Sequence, residues 1–120
     1  MITVKKEGII LEKTTLGFEN ASVLNPAVIR EGGIIHLFYR AMSKDNHSSI
    51  GYCKLKTPFS IEERYDLSVL FIQFDYESNG SDDPRITKID SLYYLTYTPY
   101  DGVNALGMKY SNPLNINYEK

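Results

Sequence analysis

The sequence predicts an all-β chain of two four-stranded antiparallel sheets of the β-propeller blade type, and three observations lead there. First, Asn25-Pro26-Ala27-Val28, followed by Ile34-Ile35-His36-Leu37-Phe38-Tyr39-Arg40, recurs as Asp83-Pro84-Arg85-Ile86 followed by Leu92-Tyr93-Tyr94-Leu95-Thr96-Tyr97-Thr98. The two proline signals stand 84 − 26 = 58 residues apart. Second, the same offset pairs Phe18-Glu19 with Tyr76-Glu77, Arg30 with Lys88, Leu37 with Leu95 and Tyr39 with Tyr97. Third, β-branched and aromatic residues fill the apolar runs, and nothing longer than a few residues keeps a helical period.

In chain order, the first copy reads as strands over residues 8–11, 26–30, 34–41 and 49–55, and the second over 69–74, 84–88, 92–98 and 105–110. Pro26 and Pro84 stand at first strand positions, where a missing backbone donor costs least. Glu31-Gly32-Gly33 and Asp90-Ser91 supply tight hairpin turns. Further on, Ile50-Gly51-Tyr52 matches Leu106-Gly107-Met108 and Pro58 matches Pro113, at offsets of 106 − 50 = 56 and 113 − 58 = 55. The second copy has therefore lost a few loop residues. The charged stretch 61–66 reads as a solvated linker with the boundary near Tyr65, dividing one structural unit into repeats 1–64 and 65–120.

Four antiparallel strands in a repeat of about sixty residues have the form of a propeller blade. Propellers close with about four to eight blades, so two blades form an incomplete ring whose open faces need a cover. A second copy of the chain, the missing blades on another chain, or a rearrangement into a sandwich would each provide one.

Composition narrows the function. At 120 residues and 42% hydrophobic the chain can bury one core. A net charge of −2 without any basic run argues against nucleic acid and anionic membranes as partners. No segment has the apolar length of a membrane span, and the first residues lack the apolar core of a signal peptide, so a cytoplasmic address is expected. Cys53, the single cysteine, lies in an apolar strand and reads as a buried thiol. His36 and His47 have no second ligand at metal spacing, so no metal is expected. Ser48, Ser49 and Ser81 lack the glycine context of a nucleophile elbow, and no phosphate-cradling glycine loop is present.

Ten tyrosines and five phenylalanines without tryptophan suit half-buried strands and also suit stacking on sugar faces. Alternation places Tyr93, Leu95 and Tyr97 on one face of their strand and Leu92, Tyr94, Thr96 and Thr98 on the other. Both faces are partly apolar, as a blade stacked between neighbours requires.

Phe18-Glu19, Asn25-Pro26-Ala27, Leu37-Phe38-Tyr39-Arg40-Ala41, Ile50-Gly51, Asp83-Pro84-Arg85-Ile86-Thr87-Lys88-Ile89-Asp90 and Tyr93-Tyr94-Leu95-Thr96-Tyr97-Thr98 together resemble the N-terminal part of glycoside hydrolase family 130. The resemblance implies a five-bladed propeller and a β-mannoside phosphorylase or β-1,2-mannosidase. It makes Asp83 the catalytic general acid, which in the phosphorylases protonates the leaving oxygen through a mannosyl hydroxyl, and it places Asn25 and Arg40 on the sugar. Arg85 is divided between substrate contact and a tethering role in the strand. No cofactor is implied; inorganic phosphate is the co-substrate if the reaction is phosphorolysis. Asp82 stands where the family commonly has Glu.

The resemblance also implies that the phosphate-binding cations, or the second polar group of a hydrolase, belong to later blades beyond this chain. One carboxylate is not a glycosidase mechanism. Two readings follow: a segment of a β-mannoside-processing enzyme that is inactive by itself, or a non-catalytic propeller segment that binds sugar weakly and associates with other copies.

Overall fold

In a computed structural model, residues 1–70 and 78–101 are described in full and residues 109–111 by their backbone. They form an open sheet arrangement of β1 (Ser22–Glu31), β2 (Ile34–Met42), β3 (Ser48–Thr57), β4 (Ser60–Arg64), β5 (Gly80–Ile89), β6 (Leu92–Tyr100) and β7 (Lys109–Ser111). The helical content among the described residues is one 3-10 turn, Gly17–Glu19. β1 to β4 pair antiparallel in sequence order, and so do β5 to β7. The expectation of an all-β, blade-like repeat holds.

Two expected strand positions are corrected. Residues 8–11 pair with no strand; Ile9 is exposed and Leu11 packs as a cover on the sheet. The fourth strand is instead β4, drawn from the stretch expected to be linker, and it returns directly along β3 with Thr57 facing Ser60. Pro58 and Phe59 make a two-residue hairpin between them, a short closure that adds β4 to β3 at low entropic cost. The prolines are corrected as well: they sit inside strands that begin at Ser22 and Gly80. The strands expected at 69–74 and 105–110 fall mostly outside the described residues.

The internal prolines are accommodated by a repeated irregularity. Between the pairs Leu24↔Arg40 and Ala27↔Phe38, Asn25 and Pro26 together face Tyr39; between Asp82↔Thr98 and Arg85↔Thr96, Asp83 and Pro84 face Tyr97. Each is a β-bulge, which takes a ladder position out of pairing and so tolerates proline. Asn25 and Asp83 adopt φ of 50° and 49°, the left-handed region that Asn and Asp enter more readily than other side chains.

Strand alternation builds two cores. Ala27, Phe38, Ile50 and Tyr52 meet Leu95 of the second repeat, with Tyr65, Val69, Leu70 and Ile86 packed around them. On the opposite face Leu37, Tyr39, Ala41, Cys53 and Leu55 are covered by Leu11, Phe18, Val23 and Ile35. The first core is the seam between the repeats. The backbone fastens it where Ser48 pairs in parallel with Gly80 and the Ser48 amide donates to the Asn79 carbonyl at 3.2 Å.

Gly80 permits that approach: its φ is 124° and a Cβ would run into the Ser48 backbone. Gly80→Ala is expected to cost about 1–3 kcal/mol or more, from steric overlap and backbone strain. Urea unfolding measures it, and an unchanged midpoint would contradict this picture of the seam.

His36 lies beside this core, its Nδ1 2.6 Å from the Tyr52 hydroxyl. Burial lowers its pKa below the ordinary 6.5, Lys54 adds to the effect and Glu31 opposes it. Below pH 6.5 the unfolded chain binds a proton that the folded chain resists, so this contribution is present above pH 6.5 and is lost as pH falls through the depressed pKa. The melting temperature is expected to fall between pH 7.5 and 5, with a shallower fall in His36→Gln, as differential scanning calorimetry would show.

Candidate active site

The paired bulges bring the two repeats' equivalent residues together. A bulge re-aims its side chains, and here Asn25 Nδ2 donates to Asp83 Oδ1 at 2.5 Å across the seam. Arg40, opposite Leu24 on β2, approaches from the side. Its Nη1 lies 3.8 Å from Asp83 Oδ1 and its Nε 3.2 Å from Asp82 Oδ1. The same Nε donates to Ser48 Oγ at 3.0 Å, and Ser48 Oγ is 2.8 Å from Met42 Sδ. Three of the four expected site residues, Asn25, Arg40 and Asp83, thus converge.

Arg85 does not join them. Its Nη1 donates back to the Pro84 carbonyl at 2.7 Å and the residue is exposed.

The two neighbouring aspartates differ in environment. Asp82 is largely covered, and its Oδ1 is buried without an aligned hydrogen bond, held by the attraction of Arg40. The Asp83 side chain is 48% exposed, and its Oδ2 has no hydrogen-bond partner among the described residues. One oxygen of Asp83 is therefore anchored and the other is open to a ligand. A carboxyl group so held can give or take a proton at a fixed point. Among the described residues no three His, Cys, Asp or Glu side chains gather as a metal site.

A buried ionic network underlies the first bulge. Tyr39, the residue facing Asn25 and Pro26, donates from its hydroxyl to Glu19 Oε2 at 2.7 Å. Glu19 is fully buried; it also accepts from Thr14 Oγ1 at 2.8 Å and from Arg64 Nη2 at 3.1 Å. Arg64 reaches the Glu12 carbonyl at 2.8 Å and lies 5.6 Å over the Tyr39 ring. Burial, reinforced by the Glu19 hydrogen bond, pushes the Tyr39 hydroxyl far above its ordinary pKa. Burial also pushes the Cys53 thiol up to about 11, which keeps it protonated and unreactive.

Glu19 entered the sequence reading as a repeat match and as part of the family motif, without a role, and Arg64 as part of a solvated linker. A lone buried carboxylate needs a cation, but nothing in the local pattern pairs residues 45 positions apart. Ser48 carried no local signal for holding Arg40.

With this geometry in view, a family model described as beta-1,4-mannooligosaccharide phosphorylase matches residues 6–114. The chain belongs to glycoside hydrolase family 130. It is 40% identical over 105 residues to a beta-1,2-mannobiose phosphorylase of Thermoanaerobacter sp. (strain X514), the match covering 77% of this chain and 34% of the relative. A 1,2-beta-oligomannan phosphorylase of the same organism is 31% identical over 109 residues, with coverage of 83% and 37%. The chain therefore spans roughly a third of these relatives.

Among solved structures, a glycoside hydrolase from Bacteroides ovatus superposes with a TM-score of 0.80 at 25% identity, over 95% of this chain and 39% of that one. A family 130 structure, from work on hydrolases that target beta-1,2 mannosidic linkages in Candida mannan, gives a TM-score of 0.71 at 25% identity, over 88% and 35%. The family 130 resemblance read from the motifs and the open, propeller-like sheet both stand.

Proposed function

We propose that this family 130 chain supplies the general acid and part of the sugar site of a β-mannoside-processing enzyme, with phosphorolysis favoured by the named activities of its relatives. The observation that carries this reading is the junction of the two bulges, where Asn25 fixes one oxygen of Asp83 and leaves the other open. In the reaction, a phosphate oxygen bonds to the anomeric carbon as the glycosidic C–O bond breaks. The departing oxygen takes a proton originating on Asp83, directly or through a sugar hydroxyl. Arg40 and Asn25 hold sugar hydroxyls, and phosphate, being the nucleophile, removes the need for a second carboxylate.

The groups that bind phosphate would come from further blades, which would also cover the open faces of the seam; another copy of the chain is the alternative cover. The 120-residue chain alone is expected to show no turnover of β-mannosides. Substituted for the matching third of the Thermoanaerobacter β-1,2-mannobiose phosphorylase, it should restore phosphate consumption with β-1,2-mannobiose. A folded chimera that binds mannobiose without consuming phosphate would leave a non-catalytic sugar-binding segment as the better description.

A further inference from the structure

Asn79 is the only asparagine of the chain that is followed by glycine. It ends the turn before β5 and is exposed, while Gly80 is covered where its Cβ would point, at the Ser48 backbone. The main chain of Asn79 is held on both sides. Its amide donates to the Tyr100 carbonyl at 2.9 Å, and its carbonyl accepts from the Ser48 amide at 3.2 Å. An Asn-Gly step thus forms part of the backbone joint between the repeats.

We propose that Asn79-Gly80 is a site of spontaneous deamidation and isomerisation, and that the isoaspartyl product unfastens the seam; the proposal is independent of the reading of Asp83 as an acid. The Gly80 backbone nitrogen bonds to the amide carbon of the Asn79 side chain, and its proton leaves with the departing ammonia as a succinimide ring closes. Water then opens the ring. Where the bond from nitrogen to Cγ breaks, residue 79 becomes aspartate. Where the bond from nitrogen to the original main-chain carbonyl carbon breaks, it becomes isoaspartate, whose main chain runs through Cβ and Cγ. Both steps consume only water.

The local structure favours this chemistry. Glycine has no side chain to obstruct the approach to Asn79, and its backbone is the most permissive. The attack is intramolecular, with the nitrogen one residue from the carbon it meets, and the exposed Asn79 side chain is open to water. The seam also holds the glycine in place. At φ 124°, with the Ser48 backbone where a Cβ would stand, position 80 excludes the larger residues that would slow ring closure.

The two products differ in consequence. Aspartate keeps the main chain as it was, so the bond from the Ser48 amide survives. Isoaspartate adds a carbon to the main chain and turns the former Asn79 carbonyl into a pendant carboxylate. The Ser48↔Gly80 pair then falls out of register. Asp82 and Asp83 follow Gly80 by two and three residues, and their contacts with Arg40 and Asn25 cross the same seam. Ageing at one exposed turn residue therefore loosens the contacts between the repeats.

The test is ageing of the folded 120-residue chain in mildly alkaline buffer, then trypsin digestion and mass spectrometry of peptide 65–85, in which Asn79 is the single asparagine. Asn79 is expected to convert at least about tenfold faster than any other asparagine, with isoaspartate detected by labelling with an isoaspartyl methyltransferase. Anion-exchange chromatography isolates the aged chain by its added negative charge. Aged chain rich in isoaspartate should unfold at a lower urea concentration than fresh chain and show shifted backbone amides at Asn25, Ser48 and Asp83. Asn79→Asp should keep the fresh chain's midpoint, and Asn79→Gln, whose ring closure is less favourable, should resist ageing. Asn79 staying intact in the folded chain while it converts in urea would overturn the site. Isoaspartyl chain with the midpoint and amide positions of Asn79→Asp would overturn the unfastening of the seam.

Discussion

Asp83→Asn, placed in the chimera with the Thermoanaerobacter blades, is expected to lower kcat for β-1,2-mannobiose by about 10²- to 10⁴-fold, the usual contribution of a positioned acid. The substitution is well suited to the site. Asn keeps the shape of Asp and tolerates the left-handed backbone at φ 49°. It can still accept the Asn25 amide on its own oxygen, so the bulge and the sugar contacts survive while the transferable proton is lost. KM should therefore change much less than kcat. The loss should shrink for an aryl β-mannoside whose phenolate leaves without protonation. Phosphate consumption measures both, and equal turnover by the variant would remove Asp83 from the acid role.

Glu19→Ala is expected to be the most damaging single change to the fold, costing about 3–5 kcal/mol, the range for breaking a buried ion pair from one side. The Glu19 carboxylate answers three donors at once, from Thr14, Tyr39 and Arg64. Without it the buried Tyr39 hydroxyl loses its acceptor and the Arg64 guanidinium loses its counter-charge, keeping only the Glu12 carbonyl. Because whole domains are stable by only about 5–15 kcal/mol, this could remove much of the folded population at room temperature. Urea unfolding gives the magnitude, with Tyr39→Phe, which deletes only the hydroxyl, expected to cost far less. A Glu19→Ala loss below about 1 kcal/mol would show that the network is not a structural tie.

The site was partly legible because it is built on the repeat. Asn25 and Asp83 occupy the same position in two copies of one motif, and stacked copies place equivalent residues side by side. Their precedence before Pro26 and Pro84 marked a special backbone position, although that position is a bulge inside the strand and not its start. Arg40 could be read through the family motif. Its hold on Asp82 could not, because that contact crosses the seam and depends on how closely Gly80 lets β5 approach β3.

What the sequence by itself determined is local and periodic: the strand class from its apolar alternation, the hairpins from Gly32-Gly33 and Asp90-Ser91, the doubling from the 58-residue offset, and family membership from the motifs. Only the tertiary structure decided that residues 8–11 stay outside the sheet and that the charged stretch after Thr57 turns back as β4, through a short hairpin that closes at low entropic cost. It alone joined Glu19 to Arg64, since a buried charge selects its partner by proximity in the folded core and leaves no spacing rule along the chain.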